Sequence, residues 1–299
     1  MRSKKTVSAV FIPLAIGFFL AAAAVCALPA LLPIKLAQSW LDSLVTIGHT
    51  GQTIGAIKLR LLVAAWVSVL FALAIFLGRA SLSSVIDLLP SAFRDLAGRA
   101  AGTVTHGLKK ETSFHLALIG LVGILAIGLR LFYLFQPMCG DESWTFDKYA
   151  SMPIYIGLAR YTSPNNHLFH TLLVHISFLI FGNHPWAIRL PAFIAGILAV
   201  PVAYLIVRGA AGKYAAILAA GLVASSPALI MYSTNARGHI LIVLIFELNV
   251  LVGLVMLDDR NAAVWITFGF LNAIGLITVP VMLYPFGATV LMLIWLAGT

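Results

Sequence analysis

Most of this chain is divided into apolar runs about as long as a bilayer is thick, each with at most one charged residue, and that division decides its architecture. A transmembrane helix needs roughly 17–25 predominantly apolar residues. Runs of that length occupy 7–32, 59–77, 114–135, 188–207, 214–232, 240–257 and 262–280, and one more, 281–299, continues to the last residue. Hydrophobic residues make up 61% of the 299 and charged residues only 10%, a balance that a water-soluble domain cannot bury. The alternating segments of about ten residues that mark a transmembrane barrel are missing. The expected fold class is all-α: a polytopic helical membrane protein, in which each helix satisfies its own backbone in lipid.

The first run follows Arg2, Lys4 and Lys5, the layout of a signal peptide. It is too long for a signal core and no small-residue cleavage site follows, so a retained helix is expected. The net charge is +9, but the basic residues are scattered between the runs. They read as topology markers and contacts with membrane lipids, with no nucleic acid as partner. Cys26 and Cys139 form no metal pattern, redox pattern or disulfide framework.

One short run decides which side of the membrane the rest occupies. Residues 168–181 are apolar for only 14 positions and include His170, Thr171, His175 and Ser177. If they do not cross, and the N-terminus is cytoplasmic, eleven Lys/Arg between the runs fall inside and five outside. If they cross, the tally is nine to seven. The positive-inside rule favours the first arrangement. Positions 167, 170, 171 and 175 also share one helical face, so an interfacial or half-inserted helix is expected. Residues 1–113 then hold two transmembrane helices and a cytoplasmic amphipathic stretch, 79–113, expected as a surface helix interrupted near Pro90. Residues 114–299 form a second module with an external first loop that carries interfacial helices.

That loop, and the outer ends of the later runs, carry the residues suited to chemistry. Of only ten acidic residues, Asp141, Glu142 and Asp147 fall within seven positions, among Trp144, Phe146 and Tyr149. A carboxylate at the mouth of a membrane helix is partly stripped of water, which suits a proton acceptor; an acidic loop that solvates a helix end is the alternative. Arg189, Arg237, His167 and His239 fall on the same outer side and suit a phosphate-bearing substrate. Arg130 and Glu247 lie inside runs at matching depth, where ionisable groups pair or face a cavity. His167 and His170 have metal-ligand spacing, which a polar helix face explains as well. Phosphate-loop, HExxH and GxSxG motifs are all lacking.

Taken in order, these residues resemble a known family. Asp141–Glu142, the "NNHLFH" that contains His167, "FG" at 181–182, "RLP" at 189–191, "SP" at 226–227 and "AR" at 236–237 are similar to the pattern of C-type glycosyltransferases. The group of protein mannosyltransferases and aminoarabinose transferases (families 39 and 83) is the nearest. The resemblance covers about 118–299. It implies a membrane glycosyltransferase, hexosyl- or pentosyl-transferring, that moves a sugar from a polyprenyl-phosphate lipid to an acceptor hydroxyl on a glycan, lipid or protein. It places the chain in the inner (plasma) membrane with the site extracytoplasmic. Asp141 is then the acceptor-activating base and Glu142 its neighbour or a contact for a divalent metal. Arg189, Arg237 and His167, with His239 and Arg130, are implied to bind the donor. The family often has His-Pro-Pro where this chain has His167-Leu168-Phe169, and an aromatic residue at the position of His239. Its members carry more helices and often an external domain, so the module reads as truncated at its C-terminus. A transporter or lipid flippase, and a non-catalytic membrane subunit, stay open as alternatives.

The sidedness has a direct test. With Cys26 and Cys139 replaced by serine, His184→Cys should react with a membrane-impermeant thiol reagent from outside, and Ala210→Cys only after lysis. The reverse pattern would place 168–181 across the membrane.

Overall fold

The computed structural model describes residues 7–31, 33, 35–36, 51–109, 111–138, 140–159, 163–258 and 261–298. Arg2, Lys4, Lys5, Lys110, Cys139, Arg160, Arg260 and most of 33–58 lie outside the described residues. The chain divides into two compact units, Met1–Asp95 and Leu96–Thr299. Among the described residues, six helices are long and apolar enough to cross a membrane, or seven if one bent pair counts as a span. The fold is that of an all-α polytopic membrane protein.

In the first unit, α1 (Val7–Leu31) packs along α2 (Gly51–Leu77), with Phe19 stacked on Phe71 at 5.4 Å. The next helix, α3 (Arg79–Lys109), follows a turn at Gly78 and contributes Asp87. The Asp87 carboxylate accepts the Ser8 backbone N–H at 2.8 Å and the Ser8 hydroxyl at 2.7 Å, which satisfies an orphan donor at the start of α1. The interruption expected near Pro90 does not occur, because α3 runs through it. Proline forfeits only the bond to the carbonyl four residues back, and the helix continues on either side.

The second unit is built around one long helix. It contains α4 (Ser113–Leu134), α5 (Asp141–Thr145), a π-helical turn (Phe146–Ala150), α6 (Ile154–Ala159), α7 (Leu168–Phe181) and α8 (Pro185–Ala211). Beyond these come α9 (Lys213–Ser225), α10 (Pro227–Ser233), α11 (His239–Asp258), α12 (Ala262–Thr278), a 3-10 turn (Pro280–Met282) and α13 (Leu283–Gly298). Helix α8 packs against α4, α7, α9, α10 and α11. Its buried face is mostly small residues, Ala187, Ala192, Ala195, Gly196, Ala199 and Ala203, which let neighbouring helices approach closely in lipid. Ala192, Ala195 and Ala199 meet Ile240, Leu241, Leu244 and Ile245 of α11. Between α11 and α12, Asn249 and Asn272 exchange amide hydrogen bonds of 3.1 and 3.0 Å, a polar tie of the kind that joins membrane helices.

Two expectations change on folding. The run 214–232 is a broken element: α9 and α10 meet at 58°, because Pro227 has no N–H to give the Val223 carbonyl. The polar face of 168–181 is not a wet face. Thr171 donates to Asn166 at 2.8 Å, His175 Nδ1 lies 2.7 Å from the Ala150 carbonyl, and Ser177 donates to the Ala187 carbonyl at 2.5 Å. The exposed side of α7 is apolar instead, with Ile176, Leu179 and Ile180. At 1.5 Å per residue this helix is about 21 Å long, short of a hydrocarbon core of about 30 Å. Gly182 ends it with φ +82°, a conformation that leaves glycine the only comfortable residue there.

The break tolerates no added bulk. A Cβ on Gly196 would collide with the Ser233 side chain and stand 3.1 Å from Arg130 Nε. Gly196→Ala should therefore destabilise the fold by about 1–3 kcal/mol through overpacking. It would be read as a lower melting temperature in detergent, and an unchanged melting temperature would contradict the close crossing of α8 and α10.

Candidate functional site

A buried ion pair holds together the segments that carry the site. Arg189, in the first turn of α8, reaches the loop after α4. Its Nε and Nη2 donate to the two carboxylate oxygens of Glu142, each at 2.6 Å. Its Nη1 donates to the carbonyls of Leu134 and Gln136 at 2.8 and 2.6 Å, and Nη2 also to that of Pro137 at 3.3 Å. All five guanidinium hydrogens are thereby used. Glu142 accepts a further bond, 2.8 Å, from the Ala236 N–H. Both side chains are almost wholly buried, at 3% and 2% exposure. The end of α4, the start of α8 and the loop before α11 are thus clasped at one point.

The clasp leaves Asp141 facing outward. Gly140 precedes it with φ +55°, a left-handed residue that turns the chain into α5. Phe146 packs on Phe178 of α7 and so anchors this segment to the bundle, while Tyr149 meets Trp144 within the segment. Asp141 is 59% exposed and pairs with Arg237 Nη1 at 2.8 Å. Arg237 Nη2 donates to Asn165 Oδ1 at 3.0 Å. Unlike Arg189, Arg237 spends few of its donors, and its buried Nε has no hydrogen-bond partner.

Beside this pair lies a histidine couple. His167 Nδ1 accepts the Gly238 N–H at 2.8 Å, and the His167 and His239 rings meet edge to face at 4.9 Å. Tyr232 flanks His239 at 5.1 Å. Burial, followed by the charges of His239 and Arg237, pushes the His167 ring down to about pKa 3. It is therefore neutral at pH 7 and acts as an acceptor at Nδ1, not as a cation. The approach of chain to ring requires glycine at 238, where a Cβ would stand 3.1 Å from His167 Nδ1 and 2.7 Å from Thr278 Cγ2.

Asp141, Arg237, His167 and His239 thus come together, with Glu142 and Arg189 behind them. Arg130 does not join them. It is fully buried and donates to Ser233 Oγ and to the carbonyls of Ala126, Ala224 and Val223, at 3.1, 3.2, 3.0 and 3.3 Å. Two of those carbonyls are freed at the end of α9 by the proline break. The expected pairing with Glu247 is not formed: neutral oxygens at a helix C-terminus satisfy the guanidinium, and Glu247 Oε2 is without a hydrogen-bond partner. Asn165 was not foreseen, although it stands only two residues before His167. Asn166 shapes that loop by donating to the Gly157 carbonyl at 2.8 Å. Among the described residues no three His, Cys, Asp or Glu side chains are grouped as a metal site.

A bundle of membrane-length helices with a carboxylate, a guanidinium and two imidazoles at its helix ends is a polytopic membrane protein with a built polar site. Residues 165–299 match the model of the dolichyl-phosphate-mannose-protein mannosyltransferase family, a similarity that supports a membrane glycosyltransferase of the C type. The matched segment includes Asn165, His167, Arg189, Arg237 and His239, and begins after Asp141 and Glu142. No curated protein and no solved structure matches the chain.

Two measurements check this construction. Removing one partner of a buried pair strands the other charge, typically at about 3–5 kcal/mol, whereas replacing both by apolar groups costs less. Arg189→Met and Glu142→Met should each lower the yield of folded protein, and the double variant should be less damaged than the sum of the two; simple additivity would count against the clasp. For His167, both folded and unfolded rings are neutral above about pH 6.5. Below that the unfolded ring binds a proton that the folded ring refuses until about pH 3, so stability falls across that window as pH drops. Melting between pH 7.5 and 4 should show this loss, with a shallower slope in His167→Asn.

Proposed function

We propose that the chain transfers a sugar from a polyprenyl-phosphate donor to an acceptor hydroxyl on the extracytoplasmic face, and that Asp141 is the base. The observation that carries this reading is the pairing of an exposed carboxylate with a guanidinium that has donors to spare, on a rigid buried base. The acceptor oxygen attacks the anomeric carbon as its proton passes to Asp141. The bond from that carbon to the phosphate oxygen breaks, and configuration inverts. The lipid phosphate leaves as an anion, so no general acid is required, and Arg237 stabilises the charge that develops. Asn165 holds the second arm of that guanidinium. In the resting protein Arg237 occupies Asp141, so an arriving phosphate competes for the guanidinium and releases the base as it binds. His167 positions the Gly238 backbone and His239 borders the phosphate. Arg189 and Glu142 support the site from behind, since Arg189 has no donor left for a phosphate. The acceptor is a hydroxyl of a glycan, a lipid or a protein.

The test uses the protein in proteoliposomes with a labelled polyprenyl-phosphate sugar. Asp141→Asn should bind the donor yet transfer it about 10²–10⁴-fold more slowly, the usual loss for a missing base. Arg237→Gln should weaken donor binding as well, because the phosphate is charged before reaction. Transfer by Asp141→Asn at the parent rate would overturn the assignment.

A further inference from the structure

The second unit contains another place where charge and apolar space adjoin, at the opposite end of α4 from Asp141. There α4, α8 and α9 leave a groove of about 230 Å³ between them, and Tyr204 brings a hydroxyl to its otherwise apolar lining. The same polar arrangement caps each wall. On α4, Ile119 lines the groove and His115 lies one turn closer to the loop end. On α8, Tyr204 lines it and Arg208 lies one turn further out; on α9, Ile217 lines it and Lys213 lies one turn further out. Residues four apart share a helix face, so a ring of polar side chains sits over the groove's loop end.

These side chains are in contact with one another. Glu111 Oε1 accepts from Arg208 Nη2 at 2.5 Å and from Nε at 3.2 Å. Glu111 Oε2 lies 3.8 Å from Lys213 Nζ and 3.8 Å from His115 Nε2, and His115 Nε2 is 2.9 Å from the Tyr204 hydroxyl. The carboxylate is nearly buried, at 5% exposure, whereas Arg208 and Lys213 are 40% and 33% exposed. Two cations therefore share one carboxylate, and the surplus positive charge is on the outside. The stretch between α8 and α9 is also one that the charge tally assigns to the cytoplasmic face, where anionic lipids concentrate.

We infer that this groove and its basic mouth bind an anionic membrane phospholipid, with one acyl chain along the groove and the headgroup phosphate against Arg208 and Lys213. A helix of 22 residues separates this end from the Asp141 site, about 33 Å at 1.5 Å per residue, so the site is distinct from the proposed donor site and does not depend on it. A cluster serving only to tie three helices together would show no lipid selectivity.

Native mass spectrometry of the full chain in detergent, with phosphatidylglycerol and phosphatidylcholine added in equal amounts, separates the two cases. The parent should retain phosphatidylglycerol at least about tenfold over phosphatidylcholine, a selectivity within reach of two basic side chains at a membrane surface. Arg208→Gln with Lys213→Gln should abolish the preference, and Lys213→Gln alone, at a half-exposed position, should reduce it even if the double variant fails to fold. Gly123→Leu should reduce retention of phosphatidylglycerol by filling the groove, since a Cβ at Gly123 meets nothing within 4 Å. Equal retention of the two lipids by the parent, or a preference that survives both Lys213→Gln and Gly123→Leu, would overturn the inference.

Discussion

The pair between Glu142 and Arg189 is the interaction on which the candidate site depends. Taking two charges out of water is costly, and their mutual attraction offsets that cost only when every remaining donor and acceptor is met. Here the guanidinium finds three carbonyls beyond the carboxylate, and the carboxylate finds the Ala236 N–H. Segments distant in sequence are thereby held in one geometry. Asp141 is the residue next to this anchor, and Arg237 the residue next to Ala236. Their 2.8 Å approach follows from the buried pair behind them. The inner pair is saturated and holds the geometry, while the outer pair leaves the Arg237 Nε without a hydrogen-bond partner.

The deep charges are satisfied in a similar way without forming a pair. Pro227 breaks what would have been a continuous span and leaves carbonyls at the end of α9, and Arg130 supplies donors to them. A guanidinium can be carried by neutral oxygens when they belong to a helix C-terminus.

Much of the architecture was legible in the sequence because it is written in apolar runs. The helices over 7–31, 113–134 and 239–258 begin and end within a few residues of those runs. The break at Ser226–Pro227 was legible in principle, since proline cannot continue a ladder, but uninterrupted hydropathy hid it. The outer cluster was visible as residue types: Asp141, Glu142, His167, Arg189, Arg237 and His239 all fall on neighbouring helix ends. Which arginine faces which acid was not visible. Arg189 is satisfied largely by backbone carbonyls, and these have no signature in side-chain identity. His167 looked like a cationic partner for phosphate because its type permits it; burial and the Gly238 N–H make it a neutral acceptor. Asn165 was passed over because an uncharged amide beside a histidine carries little signal until the loop folds.

The central claim is that Arg237, not Arg189, receives the donor phosphate and in doing so frees Asp141. A cryo-EM structure of the chain with a polyprenyl phosphate bound tests this most directly. The account predicts the phosphate within hydrogen-bond distance of Arg237, Asp141 released from that guanidinium, and the bonds between Glu142 and Arg189 unchanged. A phosphate seated on Arg189, or bound elsewhere while Asp141 and Arg237 remain paired, would contradict it.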